Sequence, residues 1–329
     1  MKKKSSIIIL TCVLFCFGGS YAQTKPDLTR FGKSYGMVLI SNMPYLKLTL
    51  GKADGFFVLD FGTNGSSLDT NGFDCHAIPQ GTIDATHSKL TIDPFEMYGG
   101  SFYFWFRAST VNLPNVKQAG ILGTDLFMQK VYTLDYMGQF LYESDKSMFP
   151  SDGDLQKAGF KASSTKLHYS SDFNKLEDPA HTFNIPAVPV KIGSISALAE
   201  IDPGYDDGAF YHTVNINNAL YQALLNANIK LISVPGVKPI TSYGGNEPVK
   251  AFRLAPGFTF SVIAIDGTPI ILTSDVFLFL KQGSPEVIKA AGGIGAWNVP
   301  GAQFGASFLK ESKVIVFDPF SSQVWFYTK

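Results

Sequence analysis

The feature that most constrains this chain is a repeat. Residues 42–62, NMPYLKLTLGKADGFFVLDFG, lie over residues 184–204, NIPAVPVKIGSISALAEIDPG, without a gap. Asn42, Pro44, Gly51, Asp60 and Gly62 match Asn184, Pro186, Gly193, Asp202 and Gly204. Between them the apolar residues alternate, as in Leu46/Val188, Leu48/Val190 and Leu50/Ile192. A period of two predicts strands with one buried face, and the paired glycines predict the hairpin turns. The correspondence continues downstream. Tyr-Gly-Gly occurs at 98–100 and again at 243–245, and AGILGTDLFMQKVYTLDYMGQFLY (119–142) resembles AQFGASFLKESKVIVFDPFSSQVWFY (302–327). Each half therefore reads as hairpin, Asp-x-Gly, Tyr-Gly-Gly hairpin, apolar-Gly, strand, Asp and strand.

This pattern divides the chain into residues 23–150 and 181–329, joined by a polar, motif-free linker at 151–180. Strands dominate, so the expected class is all-β with a few short helices. The helices are predicted at 217–228 and at 284–291, where Ser284 can cap and Pro285 can open the first turn. Hydrophobic residues make up 45% and charged residues 16% of the 329, which suits a folded core and excludes a disordered chain. No run of like charge points to nucleic acid or to a membrane surface.

The first 22 residues read as a secretory signal. Lys2, Lys3 and Lys4 precede an apolar stretch from Ile7 to Phe17, and Ser20-Tyr21-Ala22 offers small residues at the cleavage positions before Gln23. The apolar stretch is short for a membrane span, and no second one follows. The expected product is exported, periplasmic or secreted, soluble and monomeric. Of the three cysteines, Cys12 and Cys16 leave with the signal and Cys75 stands alone, so no internal disulfide is expected.

Asp60 and Asp202 end apolar strands and are each followed two residues later by glycine. Each can serve merely as an acceptor for turn N–H groups. Repetition in register also permits a pair of carboxyls held in contact, where like charges cannot both ionise and one proton is shared. Gly62 and Gly204 would let the two loops approach, and Gly123 and Gly305 would pack behind them; each can also be an ordinary turn or bulge glycine. Asp135 and Asp318 sit in turns and read as structural.

With these motifs the chain resembles the pepsin-type and retropepsin-type aspartic proteases, over nearly all of its length after the signal. LDFGT and IDPGY resemble the family's aspartate loops, ILG and QFG its later glycines, and YGGS its flap. The resemblance implies a bilobal fold with a cleft between two β-barrel-like lobes. It implies Asp60 and Asp202 as catalytic, Gly62, Thr63, Gly204, Tyr205 and Tyr98 as substrate-binding, and Tyr98 at a hairpin tip over substrate, with Tyr243 its pseudo-symmetric partner. It implies a peptide or protein substrate, no cofactor and no metal.

The sequence departs from the family where a Thr or Ser should follow each aspartate. Phe61 and Pro203 stand there, and neither side chain can donate a hydrogen bond. Tyr205 replaces a further hydroxyl residue, whereas Thr63 conforms. The expectation is a loosened pair whose carboxyls stay together. Two functions follow: an exported aspartic endopeptidase, or a catalytically lapsed relative that binds peptide or another ligand between the lobes. The five histidines share no metal-ligand spacing, and no Gly-x-Ser-x-Gly is present.

Overall fold

The computed structural model describes residues 25–50, 53–69, 89–92, 95–98, 105–107, 118–176, 184–205, 210–237, 240–242, 245–247, 249–281 and 293–329. The signal segment 1–22, Cys75, Tyr243 and the helix expected at 284–291 lie outside the described residues. The chain is mostly β, with two large sheets and few helices, as the sequence predicts.

The repeat is reproduced in three dimensions down to its register. Met43–Leu50 pairs antiparallel with Ala53–Leu59, Tyr45 opposite Val58 and Leu50 opposite Ala53. Ala187–Ile192 pairs with Ile195–Asp202 in the same way, Ala187 opposite Glu200 and Ile192 opposite Ile195. The matched asparagines have a backbone cause. Asn42 (φ 66°) and Asn184 (φ 60°) are left-handed, a conformation Asn tolerates better than most residues, and each enters the repeated strand from that turn.

Beyond the hairpin each half repeats one crossover. Ala53–Leu59 runs parallel to Gln118–Leu122, which pairs with Ser67–Asp69, itself parallel to Trp105–Arg107. In the second half Ile195–Asp202 runs parallel to Gly301–Gly305, which pairs with Thr213–Ile216, itself parallel to Phe277–Lys281. The parallel strand beside each Asp-bearing strand delivers the later glycine to the loop that the aspartate opens.

The halves are not separate bodies joined by a string. Val314–Asp318 of the second half hydrogen-bonds along Val131–Asp135 of the first, placing Phe317 opposite Tyr132. The 11-stranded sheet therefore contains strands of both halves. The stretch read as a bare linker is part of it. Asp152–Ala158 is a helix capped by Ser151, whose hydroxyl accepts from Asp154 N at 3.2 Å. Phe160–Ser164 then pairs with Gln323–Tyr327 at the sheet's end. Polarity misled the reading, because this short edge strand, FKASS, is held by backbone pairing with few apolar residues to mark it. The helix predicted over 217–228 forms as Asn218–Asn226, with Asn217 Oδ1 accepting from Leu220 N at 2.9 Å.

Asp135 and Asp318 are turn acceptors. Asp135 takes Gly138 N at 2.8 Å, and Asp318 takes Phe320 N and Ser321 N at 3.1 and 3.2 Å. Both are buried, and each carboxylate is also paired, with Lys25 and Lys146 respectively.

One aromatic cluster ties the catalytic-looking loop to the shared sheet. Phe61 is fully buried, with its ring centroid 4.4 Å from Phe317 and 4.7 Å from Phe127, and Phe127 lies 4.7 Å from Tyr132. The expectation that Phe61 loosens the loop is thus reversed. Where a hydroxyl would cross-link by one hydrogen bond, Phe61 anchors the loop in a core supplied by both halves. We predict that Phe61→Ala lowers stability by about 3–5 kcal/mol, the usual loss for a buried Phe. Phe61→Thr is expected to be nearly as damaging. Urea unfolding of both variants measures this, and a loss below about 1 kcal/mol would refute the anchor.

Candidate active site

Two loops, Asp60–Gly62 and Asp202–Gly204, meet where the Asp-bearing strands end. Within each loop the aspartate closes the same turn: Gly62 N donates to Asp60 Oδ1 at 3.0 Å, and Gly204 N donates to Asp202 Oδ1 at 2.8 Å. The neighbouring parallel strand pins each loop equivalently. Thr124 N donates to the Thr63 carbonyl and Ala306 N to the Tyr205 carbonyl, both at 3.0 Å. Asp60 N also donates to the Leu122 carbonyl at 3.0 Å.

The glycines decide how close the loops come. A Cβ on Gly204 would stand 2.7 Å from Asp60 Cβ, and one on Gly62 would overlap Asp202 Oδ2 and lie 2.8 Å from its Cγ. Each glycine thus lies against the other loop's aspartate, and no side chain fits between them. Gly123 and Gly305 pack behind their own loops, where a Cβ would stand 2.9 Å from the Thr63 carbonyl oxygen and would overlap the Tyr205 carbonyl oxygen. The two aspartates are thereby brought side by side, close enough for each to bear on the other's ionisation, with side-chain hydrogen bonding between them among the causes.

The pair is electrostatically uneven. Asp60 is half-buried, whereas Asp202 is almost fully buried. Burial pushes the Asp202 carboxyl well above the usual carboxylate range, and the neighbouring charge of Asp60 and their hydrogen bond push it further. The Gly204 N–H opposes this by favouring the anion, and Glu200, two residues back along the strand, adds to the rise. Such a pair keeps one proton between its members. Tyr45 is also close; burial, and then the charge of Asp60, raise its phenol, so it stays a neutral hydroxyl, 3.3 Å from Gln118 Oε1.

The remaining predicted site residues fall as follows. Thr63 uses its hydroxyl within its own turn, accepting from Gly65 N at 3.3 Å. Pro203 is buried. The Tyr205 hydroxyl lies 3.2 Å from both Thr213 Oγ1 and Asn215 Oδ1. Tyr98 ends the strand Phe95–Tyr98, opposite Lys89. In that ladder Ile92 stands opposite Phe95. The Tyr98 side chain and the two glycines that follow it lie outside the described residues.

Three residues were missed. Gln303 Nε2 donates to Asp202 Oδ2 at 2.8 Å. The signal was present, since Gln303 in QFG stands where Ile121 stands in ILG. Ser66 and Asp125 form a second buried cluster behind the first loop. Ser66 N and Oγ donate to the Asp125 carboxylate at 2.8 and 2.7 Å, and Gly123 N donates to Ser66 Oγ at 3.0 Å. Burial pushes the Asp125 carboxyl up to about 6, against these donors.

No family model matches the sequence, and no curated protein matches it. Among solved structures, the chain is similar to the aspartic proteinase from Irpex lacteus, at 11% identity and a TM-score of 0.46, covering 90% of this chain and 97% of that one.

Asp125 and Asp202 both hold their protons more tightly folded than unfolded. The folded state therefore binds more protons in the window from the ordinary value near 3.8 up to about 6 for Asp125, and above the usual range for Asp202. Stability from both groups rises as pH falls through that window and is least at neutrality. We predict that wild type gains more stability between pH 7 and pH 5 than Asp125→Asn or Asp202→Asn does, by on the order of 1 kcal/mol for Asp125. Urea unfolding at both pH values tests this, and parallel curves for all three proteins would refute it.

Proposed function

We propose that this chain is an exported aspartic endopeptidase in which Asp60 and Asp202 share one proton and activate water against a peptide bond. The observation that carries this reading is the close approach of the two aspartates, held by equivalent turn-closing loops whose glycines fit against the opposite aspartate. A single buried Asp at a strand end would serve a turn; two in contact, each turn-closed, match the requirement for a shared proton.

In the proposed reaction the ionised member of the pair takes a proton from water as its oxygen attacks the peptide carbonyl carbon. The protonated member gives its proton to the carbonyl oxygen. A neutral tetrahedral diol results and one carboxyl is again protonated, so the pair has exchanged roles. In the collapse one diol hydroxyl gives its proton to the ionised member as the carbonyl reforms and the C–N bond breaks. The leaving nitrogen takes the proton of the protonated member, and the acid and amine depart from a pair that again holds one proton. The exposed edges of Gly62, Thr63, Gly204 and Tyr205 would flank an extended peptide, whose main chain pairs with loop backbone. The reaction as written calls on no cofactor or metal. We further propose that cleavage before Gln23 releases a periplasmic or secreted monomer. Among the described residues no helix is long and apolar enough to cross a membrane.

Burial keeps the shared proton in place above the ordinary carboxylate range, so the basic limb of activity is expected nearer neutrality than an exposed pair would give. The test is cleavage of a mixed peptide library from pH 3 to 8 by the exported protein, whose intact mass should begin at Gln23. Asp60→Asn and Asp202→Asn should each abolish cleavage, and the double variant should lose no more, because the two act as one unit. A wild type that cleaves nothing at any pH, while either variant melts higher, would instead identify a ligand-binding relative with lapsed chemistry.

A further inference from the structure

The second lobe carries a polar layer that the first lobe lacks. In the first half Tyr45, Val58 and Ile121 pack together as a small apolar cluster across three neighbouring strands. The same register positions in the second half hold Ala187, Glu200 and Gln303. Two of three apolar residues have become polar, and they lie beside Asp202 rather than on a wet surface: Glu200 is 1% exposed. A buried polar side chain costs stability unless something is gained in return.

What Gln303 does is visible in its bonds. Its Nε2 donates to Asp202 Oδ2 at 2.8 Å, and its Oε1 accepts from Asn215 Nδ2 at 2.8 Å. Asn215 lies directly opposite Gln303 in the antiparallel ladder and is fully buried. Asn215 Oδ1 stands 3.2 Å from the Tyr205 hydroxyl. A carbonyl oxygen can only accept, whereas the Thr213 hydroxyl, equally 3.2 Å from the phenol, can turn and donate to it; the phenolic proton then goes to Asn215, whose amide is turned with its N–H towards Gln303. That in turn obliges Gln303 to present its own N–H to Asp202. The relay runs one way, from the Tyr205 phenol through two amides to the carboxylate.

We propose that Gln303, oriented by Asn215 and Tyr205, is the positioning residue that gives Asp202 the hydrogen-bond donor that the side chain at position 205 does not give it directly. The inference rests on the proposed reading of the pair as water-activating only for its consequence; the relay itself is a matter of geometry. An amide N–H differs from a hydroxyl in a way that matters here. A hydroxyl turns round and accepts when the carboxyl becomes protonated, whereas the amide nitrogen has no lone pair to offer. Gln303 therefore favours the anion of Asp202 in every state of the pair and disfavours the doubly protonated pair. Its presence should extend activity towards acid.

The test is the titration of the pair, read by carbon NMR of protein labelled at the Asp carboxyls, beside the pH profile of library cleavage. Gln303→Leu, aliphatic like Ile121 at the equivalent place in the first lobe, should raise the lower apparent pKa of the pair by about one unit, the size expected for losing a donor to a charged acceptor. Asn215→Leu, which touches neither aspartate, should shift it the same way but less. The acid limb of cleavage should move with the titration. Should Gln303→Leu fail to fold by near-ultraviolet circular dichroism, Gln303→Met, similar in length and without a donor, takes its place. Folded variants whose pair titrates as wild type would overturn the inference, even with cleavage intact. A shifted titration in a protein that cleaves nothing would uphold the inference and remove the protease reading.

Discussion

Two carboxyls in contact are held there by the absence of side chains. Gly62 and Gly204 each face the other loop's aspartate at a distance that leaves no room for a methyl group. Two like charges at that separation repel, so the contact needs a proton between them and a framework rigid enough not to open. Much of the surrounding structure can be read as that framework. The parallel strands bearing Gly123 and Gly305 pin the loop carbonyls from behind, and the two halves share an antiparallel ladder between Val131–Asp135 and Val314–Asp318.

The two loops are supported by different means. The first is fastened by packing, with Phe61 between Phe127 and Phe317, and by the buried Ser66–Asp125 cluster behind it. The second has Pro203 in place of a hydroxyl residue and takes its support from a chain of side-chain hydrogen bonds through Tyr205, Asn215 and Gln303. Pseudo-symmetry of backbone thus coexists with asymmetry of chemistry. One aspartate is half-buried beside an apolar cluster, and its partner is deeply buried beside a polar one. Uneven surroundings separate the two members of an otherwise equivalent pair, which is a precondition for dividing acid and base work between them.

The side chains that follow the two aspartates are each placed. Phe61 is in a core shared by both halves, and the Tyr205 hydroxyl begins the relay that ends on Asp202. Glu200, buried two residues before Asp202, adds a third carboxyl whose charge bears on the same site.

By itself the sequence determined the strands, their register and the identity of the paired aspartates. A gapless repeat with period-two alternation leaves one way to bury its apolar face, and a slip by one residue would expose it. The same local logic gave the helix at Asn218–Asn226 and the turn roles of Asp135 and Asp318. The tertiary structure alone decided what lies between distant segments. No local pattern says that Phe61 meets Phe317, that Phe160–Ser164 joins the sheet of the C-terminal strands, or that Gln303 reaches Asp202. Periodicity records which face of an element is buried; which groups meet there depends on the packing of elements far apart in the chain.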